Sequence, residues 1–391
     1  FSLIKRIVNY AEKEYPGFFK YGMITNGTLM TGDMIAFFKK HGFSFIFSID
    51  GDKCTNDKLR VFPSENQSVF DKAFGNLKNM IEVFPEANYK VNITYFKPTI
   101  DISSSFKFFL DCGIRETRFE RGLVSDDSPF ALDNEDIDKV KSEFTKMARI
   151  YLASLLEGEL HIQDNFVIYM KKLSHRIKRY RGCNMGVDYL TVSSDGDVYP
   201  CHKLIGMDLY CVGNVNDGLQ NEAYKKLWTK NVLQRPKCSI CWARFICGGF
   251  CVCDNLHYND DFLFPDEKNC ELIKHIISLA YWLIMELEEK APNVLKYLLK
   301  DYYMSDKDKP VFNEGINFEP EDKILRNTRT GAEYILNDIA GKIILACNGQ
   351  NNITDLAEML CAEYDVSAEI ALYDVKDIIS GLINRGVVRI R

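Results

Sequence analysis

Apolar residues in the first third of the chain alternate between two periods. Ser2 to Lys13, Leu29 to His41, Val69 to Val83 and Ile102 to Cys112 repeat them at helical spacing. Between these segments lie short runs rich in aromatic and β-branched residues: Tyr21 to Thr25, Phe43 to Ile49, Tyr89 to Phe96 and Glu116 to Phe119. Strand and helix taken in turn predict a parallel sheet with crossover helices. Ligands of such sheets collect at the carboxyl ends of the strands. The turns Thr25-Asn26-Gly27 and Ser48-Ile49-Asp50-Gly51 lie there, although ordinary β–α turns have the same composition.

Helical patterning continues over Ile137 to Leu156 and from Phe166 to Arg181, then breaks. Residues 183–270 are loop-rich and dense in Cys and Gly, and Glu271 to Glu289 reads as a strong helix. Residues 291–322 are charged and read as a connector. Beyond about residue 310, strands are predicted at Lys323 to Arg326 and Glu333 to Leu336. Helices follow at Asp338 to Asn348, Ile353 to Tyr364 and Ile370 to Asn384, and Val387 to Ile390 closes as a strand. That order is the order of a winged helix. The expected divisions are 1–172, 173–290, a linker 291–310, and 311–391.

Composition narrows the function. With 391 residues, 46% of them hydrophobic, the chain has enough apolar surface for two or three cores. A net charge of -6 argues against a general nucleic-acid binder. The basic run Lys171 to Arg181 is the one local exception. The apolar stretch Ile276 to Leu287 is too short to span a bilayer, and the start carries no secretory signal, so a soluble, cytoplasmic protein is expected.

Nine of the 13 cysteines fall between Cys183 and Cys270, which in a large chain without a signal favours metal or cluster ligation over disulfides. Their spacing is specific. Cys183 is followed by twelve residues, Gly196, four residues and Cys201; then come Cys238-x2-Cys241-x5-Cys247-x3-Cys251 and, later, Cys270. Thiolates suit zinc or iron–sulfur clusters. One or two structural zinc sites are the simpler alternative.

This order and spacing resemble the SPASM domain of radical S-adenosylmethionine (SAM) enzymes. The resemblance implies one auxiliary [4Fe–4S] cluster on Cys238, Cys241, Cys247 and Cys270, and an inner one on Cys183, Cys201 and Cys251. Cys183 is followed by Asn184 to Tyr189 with no further Cys, so the inner cluster is expected either to keep an open iron or to recruit Cys253, Cys211 or a non-Cys ligand. An open iron would suit binding of a substrate thiolate and thioether chemistry.

Met23-Ile-Thr-Asn-Gly-Thr-Leu-Met and Phe47-Ser-Ile-Asp-Gly-Asp, followed by Asp57 and Arg60, resemble the radical SAM partial barrel from its third strand onward. The resemblance implies a truncated α/β (β/α) barrel whose Thr25, Asn26, Ser48 and Asp50 line the SAM pocket. Asn92, Thr94, Arg118 and Glu120 are weaker candidates. Asn56 stands where members often have His. The family's Cys-x3-Cys-x2-Cys motif does not occur in residues 1–182, so the chain as written is expected not to cleave SAM.

Asn337-Asp-Ile-Ala-Gly-Lys-Ile-Ile-Leu, Thr354-Asp-Leu-Ala-Glu-Met-Leu and Leu382-Ile-Asn-Arg-Gly-Val-Val resemble the PqqD-like element that captures leader peptides. Strand Ile324 to Arg326 and helix Ile370 to Asn384 are the expected capture groove. Together the resemblances imply a maturase of a ribosomally made precursor peptide, served by an electron donor such as flavodoxin or ferredoxin, with no nucleic-acid or membrane partner. A sulfatase-maturase-type SPASM enzyme and a non-catalytic, zinc-stabilised peptide binder are the rivals.

Overall fold

The computed structural model describes residues 1–63, 67–183, 185–186, 189–220, 230–299, 307–328, 333–384 and 387–390. Its contacts divide the chain into two units. One joins Phe1–Ser174 to Lys178–Leu295; the other joins His175–Ile177 to Lys296–Arg391. The strand-and-helix region and the Cys-rich region are therefore packed as one unit.

That unit opens with α1 (Ser2–Glu14), β1 (Gly22–Thr25), α2 (Gly32–Lys40), β2 (Ser44–Ser48), α3 (Lys53–Asn56), α4 (Val69–Val83) and β3 (Tyr89–Tyr95). It continues with α5 (Ile102–Asp111), β4 (Glu116–Arg121), α6 (Asn134–Leu156), β5 (Ile162–Gln163) and α7 (Asp164–Ser174). The five strands pair in chain order, all parallel. Alternation along them splits the sheet into two faces. Phe45, Phe47, Tyr89, Val91, Ile93, Tyr95 and Phe119 are buried, in one core with the helix residues Phe38, Leu77, Met80, Phe106, Phe109 and Phe144. The alternate positions Ser48, Asn92 and Arg118 stand in one register row on the open face, with Thr94 and Glu120 in the next. Ser48 is one of the expected SAM-pocket residues, and the other four are the weaker candidates of the sequence reading on β3 and β4.

Helix ends follow polar caps more than apolar periodicity. Thr31 accepts from Met34 N–H, so α2 starts at Gly32 and not at Leu29. Asp133 and Asp136 form a capping box that starts α6 one turn before its first apolar residue, Ile137. The helix expected to reach Arg181 ends at Ser174, and Arg176 adopts a left-handed conformation (φ 50°).

The Cys-rich region holds a small antiparallel meander, β6 (Thr191–Val192), β7 (Asp197–Tyr199), β8 (Gly213–Asn214) and β9 (Gly218–Leu219). Short helices α8 (Pro236–Ser239), α9 (Arg244–Cys247) and α10 (Val252–Asn259) lead into the long α11 (Glu267–Lys290), which packs on α6 and α7. Arg121 at the end of β4 pairs with Asp266, the N-cap of α11, at 2.5 Å, with both side chains buried, and its guanidinium lies over the Tyr258 ring. The expected connector contains a helix, α12 (Pro292–Leu299); residues 300–306 of it lie outside the described residues.

In the second unit, β10 (Pro310–Phe312) pairs with the closing strand β14 (Val388–Ile390). A three-stranded antiparallel sheet, β11 (Ile316–Glu319), β12 (Ile324–Asn327) and β13 (Glu333–Ile335), precedes α13 (Asp338–Leu345), α14 (Ile353–Glu363) and α15 (Ala368–Asn384). Leu325, Ile343, Ile344, Leu356, Leu360, Val375 and Ile379 form its core. One expectation fails here. Strand β12 is hydrogen-bonded on both sides, so Ile324 to Arg326 has no free edge for a peptide; among the described residues the free edges of this sheet belong to β11 and β13. Among the described residues no helix is long and apolar enough to cross a membrane.

Candidate functional site

The cysteines gather because the backbone before them is pressed against the loop that carries the others. Arg179 N–H donates to the Phe245 carbonyl at 2.7 Å, and Val232 N–H donates to the Tyr180 carbonyl at 2.9 Å. Glycine is required at this crossing. A Cβ on Gly182 would stand 2.0 Å from the Phe250 oxygen, and one on Gly248 would stand 2.6 Å from the Arg181 oxygen. Cys183 is thereby delivered to the field of Cys251 and Cys201.

Cys238 on α8, Cys241 just after it, Cys247 at the end of α9 and Cys270 in the first turn of α11 line one cavity of about 230 Å³. Burial and the neighbouring sulfurs of Cys247, Cys238 and Cys241 push the Cys270 thiol up to about 12. Four thiolates cannot coexist here without bound cation, so metal loading must release protons.

The second group is Cys183, Cys201, Cys251 and Cys253. Cys201 and Cys253 are buried, while Cys183 and Cys251 open onto a different cavity. The Cys253 Sγ is within hydrogen-bonding reach of Cys201 and Cys251, which pushes those two thiols down and the Cys253 thiol up. Lys203 Nζ lies 3.8 Å from Cys251 Sγ and 2.5 Å from Asp254 Oδ1. Burial opposes the Lys203 charge, but Cys251 and Asp254 outweigh it and the ammonium is held. Cys211 stands apart, its thiol donating to the Gly213 carbonyl at 3.4 Å.

Among the described residues, no three His, Cys, Asp or Glu side chains converge on a single metal-ion position. The thiols are grouped in fours, the donor set of a [4Fe–4S] cluster as it is of tetrahedral zinc. Arg235 bears on the choice. It is buried among these groups, feels Cys238 and Cys247 of one and Cys183 of the other, and its Nε has no partner among the described residues. A buried guanidinium facing both thiol groups fits two anionic clusters.

The second cavity, about 330 Å³, lies where the open sheet face meets the Cys-rich region. Arg118, Glu120, Asp164 and Lys172 line it from the sheet side, and Cys183, Lys203 and Cys251 from the other. The basic run that began as a possible surface patch contributes here. Lys171 and Lys172 are buried, and Lys172 Nζ lies 4.5 Å from the Tyr169 ring centre. Burial, then the charge of Arg179, pushes Lys172 down to about 7.

Thr25, Asn26, Ser48 and Asp50 all occur at the ends of β1 and β2, in two different roles. Thr25 Oγ1 accepts from Gly27 N–H, and Asn26 Oδ1 accepts from Thr28 N–H and Oγ1, which fixes the turn. Ser48 sits in the open-face row. Asp50 is buried and its carboxylate is occupied: Arg60 donates Nε at 2.6 Å and Nη2 at 3.0 Å, and Thr94 N–H donates at 2.9 Å. Asn56 accepts from Asp50 N–H at 3.1 Å and donates to Asp57, whose carboxylate also accepts from Ser68. Lys203 and Arg235 were missed from sequence, because a lone basic residue carries no spacing signal; Lys172 lay in the basic run, which pointed to a surface patch, and Cys253 was already among the possible inner-cluster ligands.

Two family profiles match the chain. The SPASM profile, an iron–sulfur cluster-binding domain, matches residues 183–254, and the coenzyme PQQ synthesis protein D (PqqD) profile matches residues 322–388. The cysteine-type anaerobic sulfatase-maturating enzyme of Clostridium novyi (strain NT) is 25% identical over 274 residues, 65% of this chain and 69% of that protein. The radical SAM cyclopropyl synthase TigE of Paramaledivibacter caminithermalis is 21% identical over 305 residues, 76% of this chain and 59% of that protein. The solved structure of anSMEcpe with bound AdoMet has the same fold, with a TM-score of 0.63 and 18% identity over 78% of this chain and 81% of that one. The chain thus carries a SPASM iron–sulfur cluster-binding domain and a PqqD-type domain, and over most of its length it resembles a sulfatase-maturating enzyme and a radical SAM enzyme.

Proposed function

We propose that this protein matures a ribosomally made precursor peptide, and that the bond formed is a crosslink such as a thioether. The supporting observation is that two groups of four thiols adjoin the polar cavity at the carboxyl ends of a parallel sheet. Cys238, Cys241, Cys247 and Cys270 would hold the outer auxiliary cluster, and Cys183, Cys201 and Cys251 the inner one. Thr25, Asn26 and Ser48 would meet SAM; Asp50, already engaged by Arg60, would shape that turn from behind. When bound, SAM with its own cluster supplies a radical that removes hydrogen from a peptide carbon, and the auxiliary clusters exchange single electrons.

Making a C–S bond from C–H and S–H releases one hydrogen atom, one proton and one electron. The chain's own residues serve the proton and the geometry. Asp164 and Glu120 on the cavity wall would accept the proton. Arg118, Lys172 and Arg179 would hold peptide carbonyls or carboxylates, and the buried walls would exclude water. The PqqD-type domain would capture the leader by strand addition. The outer edge of β13, where Ile335 is 85% exposed, is the proposed place, and α15 is proposed as the other wall of the groove. Flavodoxin or ferredoxin would donate the electrons.

The likeness to the sulfatase-maturating enzyme favours a second reading, maturation of a sulfatase-type protein substrate. The PqqD-type domain weighs for the first. Calorimetry of residues 296–391 with leader peptide tests it. Saturable binding, weakened at least tenfold by Ile335→Asp, supports peptide maturation; no saturable binding removes the leader-capture claim.

A further inference from the structure

The inner group of thiols has a fourth member that the seven-cysteine spacing does not assign. Cys253 is 3% exposed and sits in the apolar cluster formed by Met185, Val198, Tyr199, Cys201 and Val252. Its Sγ lies 3.5 Å from Met185 Sδ and within hydrogen-bonding reach of both Cys201 and Cys251. Cys251 is the N-cap of α10 and Cys253 lies in its first turn, where the helix N-terminus favours anionic sulfur. The other candidates fare worse. Cys211 is turned to the Gly213 carbonyl. Tyr189 reaches Cys201 through its phenol, but it is 40% exposed and brings a harder oxygen donor.

We propose that Cys253 is the fourth ligand of the inner cluster, so that Cys183, Cys201, Cys251 and Cys253 close all four of its corners. The assignment rests on the two-cluster reading above. It selects Cys253 among the alternatives read from sequence and removes the open iron, and with it direct capture of a substrate thiolate by the inner cluster. A crosslinking substrate would then meet this cluster only as an electron partner.

The test uses the 391-residue chain reconstituted anaerobically with iron and sulfide. Iron and sulfide per chain are measured, and the electron paramagnetic resonance spectrum of the reduced protein is recorded with and without excess β-mercaptoethanol. The wild-type spectrum is expected not to change with thiol. Cys253→Ala is expected either to become thiol-responsive or to lose about half of the iron, about four atoms of eight. Unchanged circular dichroism and retained outer-cluster iron distinguish this from failure to fold. Cys253→Ser, which restores an oxygen donor, is expected to recover iron with a shifted spectrum. Cys211→Ala and Tyr189→Phe are expected to behave as wild type. A wild-type spectrum that shifts with thiol, a Cys253→Ala protein indistinguishable from wild type, or thiol sensitivity created by Tyr189→Phe would each overturn the assignment. Wild-type protein that takes up zinc and no iron would overturn the two-cluster reading itself, and this assignment with it.

Discussion

Asp50 illustrates how a residue in a ligand-binding turn can be committed to the protein. It is buried, and its charge is compensated by Arg60 and the Thr94 N–H. Arg60→Ala should cost about 2–3 kcal/mol, below the range for breaking a fully buried pair because Arg60 is partly exposed and the Thr94 bond remains. The double variant Asp50→Asn, Arg60→Ala should regain part of that loss; urea denaturation of the three proteins measures both. His161 offers a pH test. It is buried between β4 and α6, with Nε2 3.1 Å from Thr117 Oγ1, and burial pushes it from 6.5 to about 4. The unfolded chain therefore binds the proton more readily below pH 6.5. Stability is complete above that pH and is lost as the pH falls toward 4, by up to about 3 kcal/mol. His161→Gln, which does not titrate, should flatten that slope; equal slopes in paired urea titrations would show that His161 is not its source.

At the scale of elements, one buried residue at the join between sheet and Cys-rich region has two tasks. Asp266 caps α11 through the Lys268 and Asn269 N–H groups and neutralises Arg121 at the end of β4. Asp266→Ala should cost about 4 kcal/mol, roughly 1 for the cap and 3 for the stranded guanidinium. Asp266→Asn keeps an oxygen for the cap and should cost less. Equal losses in the two variants would mean that the cap contributes nothing. Elements with strong periodicity, such as α4 and β3, were legible in the sequence almost to the residue. Strand β5 was not, because two residues make no pattern, and neither was the early start of α6, whose first turn is polar by design of its cap. Strands β10 and β11 fell within a charged stretch and pair only with partners farther along the chain.

For the whole molecule, the cysteine spacing carried most of what could be read about the site, since ligand order survives in sequence when geometry does not. What it could not show is the counter-charge. Arg235, Lys203 and Lys172 come from separate segments and converge on thiols and cavity only after folding. Nor could it show that β12, the strand first chosen for leader capture, lies in the middle of its sheet. The central claim is that residues 183–270 hold two iron–sulfur clusters. Iron and zinc per chain, with a visible spectrum, on protein purified and reconstituted without oxygen, test it most directly. About eight irons and broad absorption near about 400 nm are the predicted result. One or two zincs with no iron would contradict it and leave this region a structural zinc module.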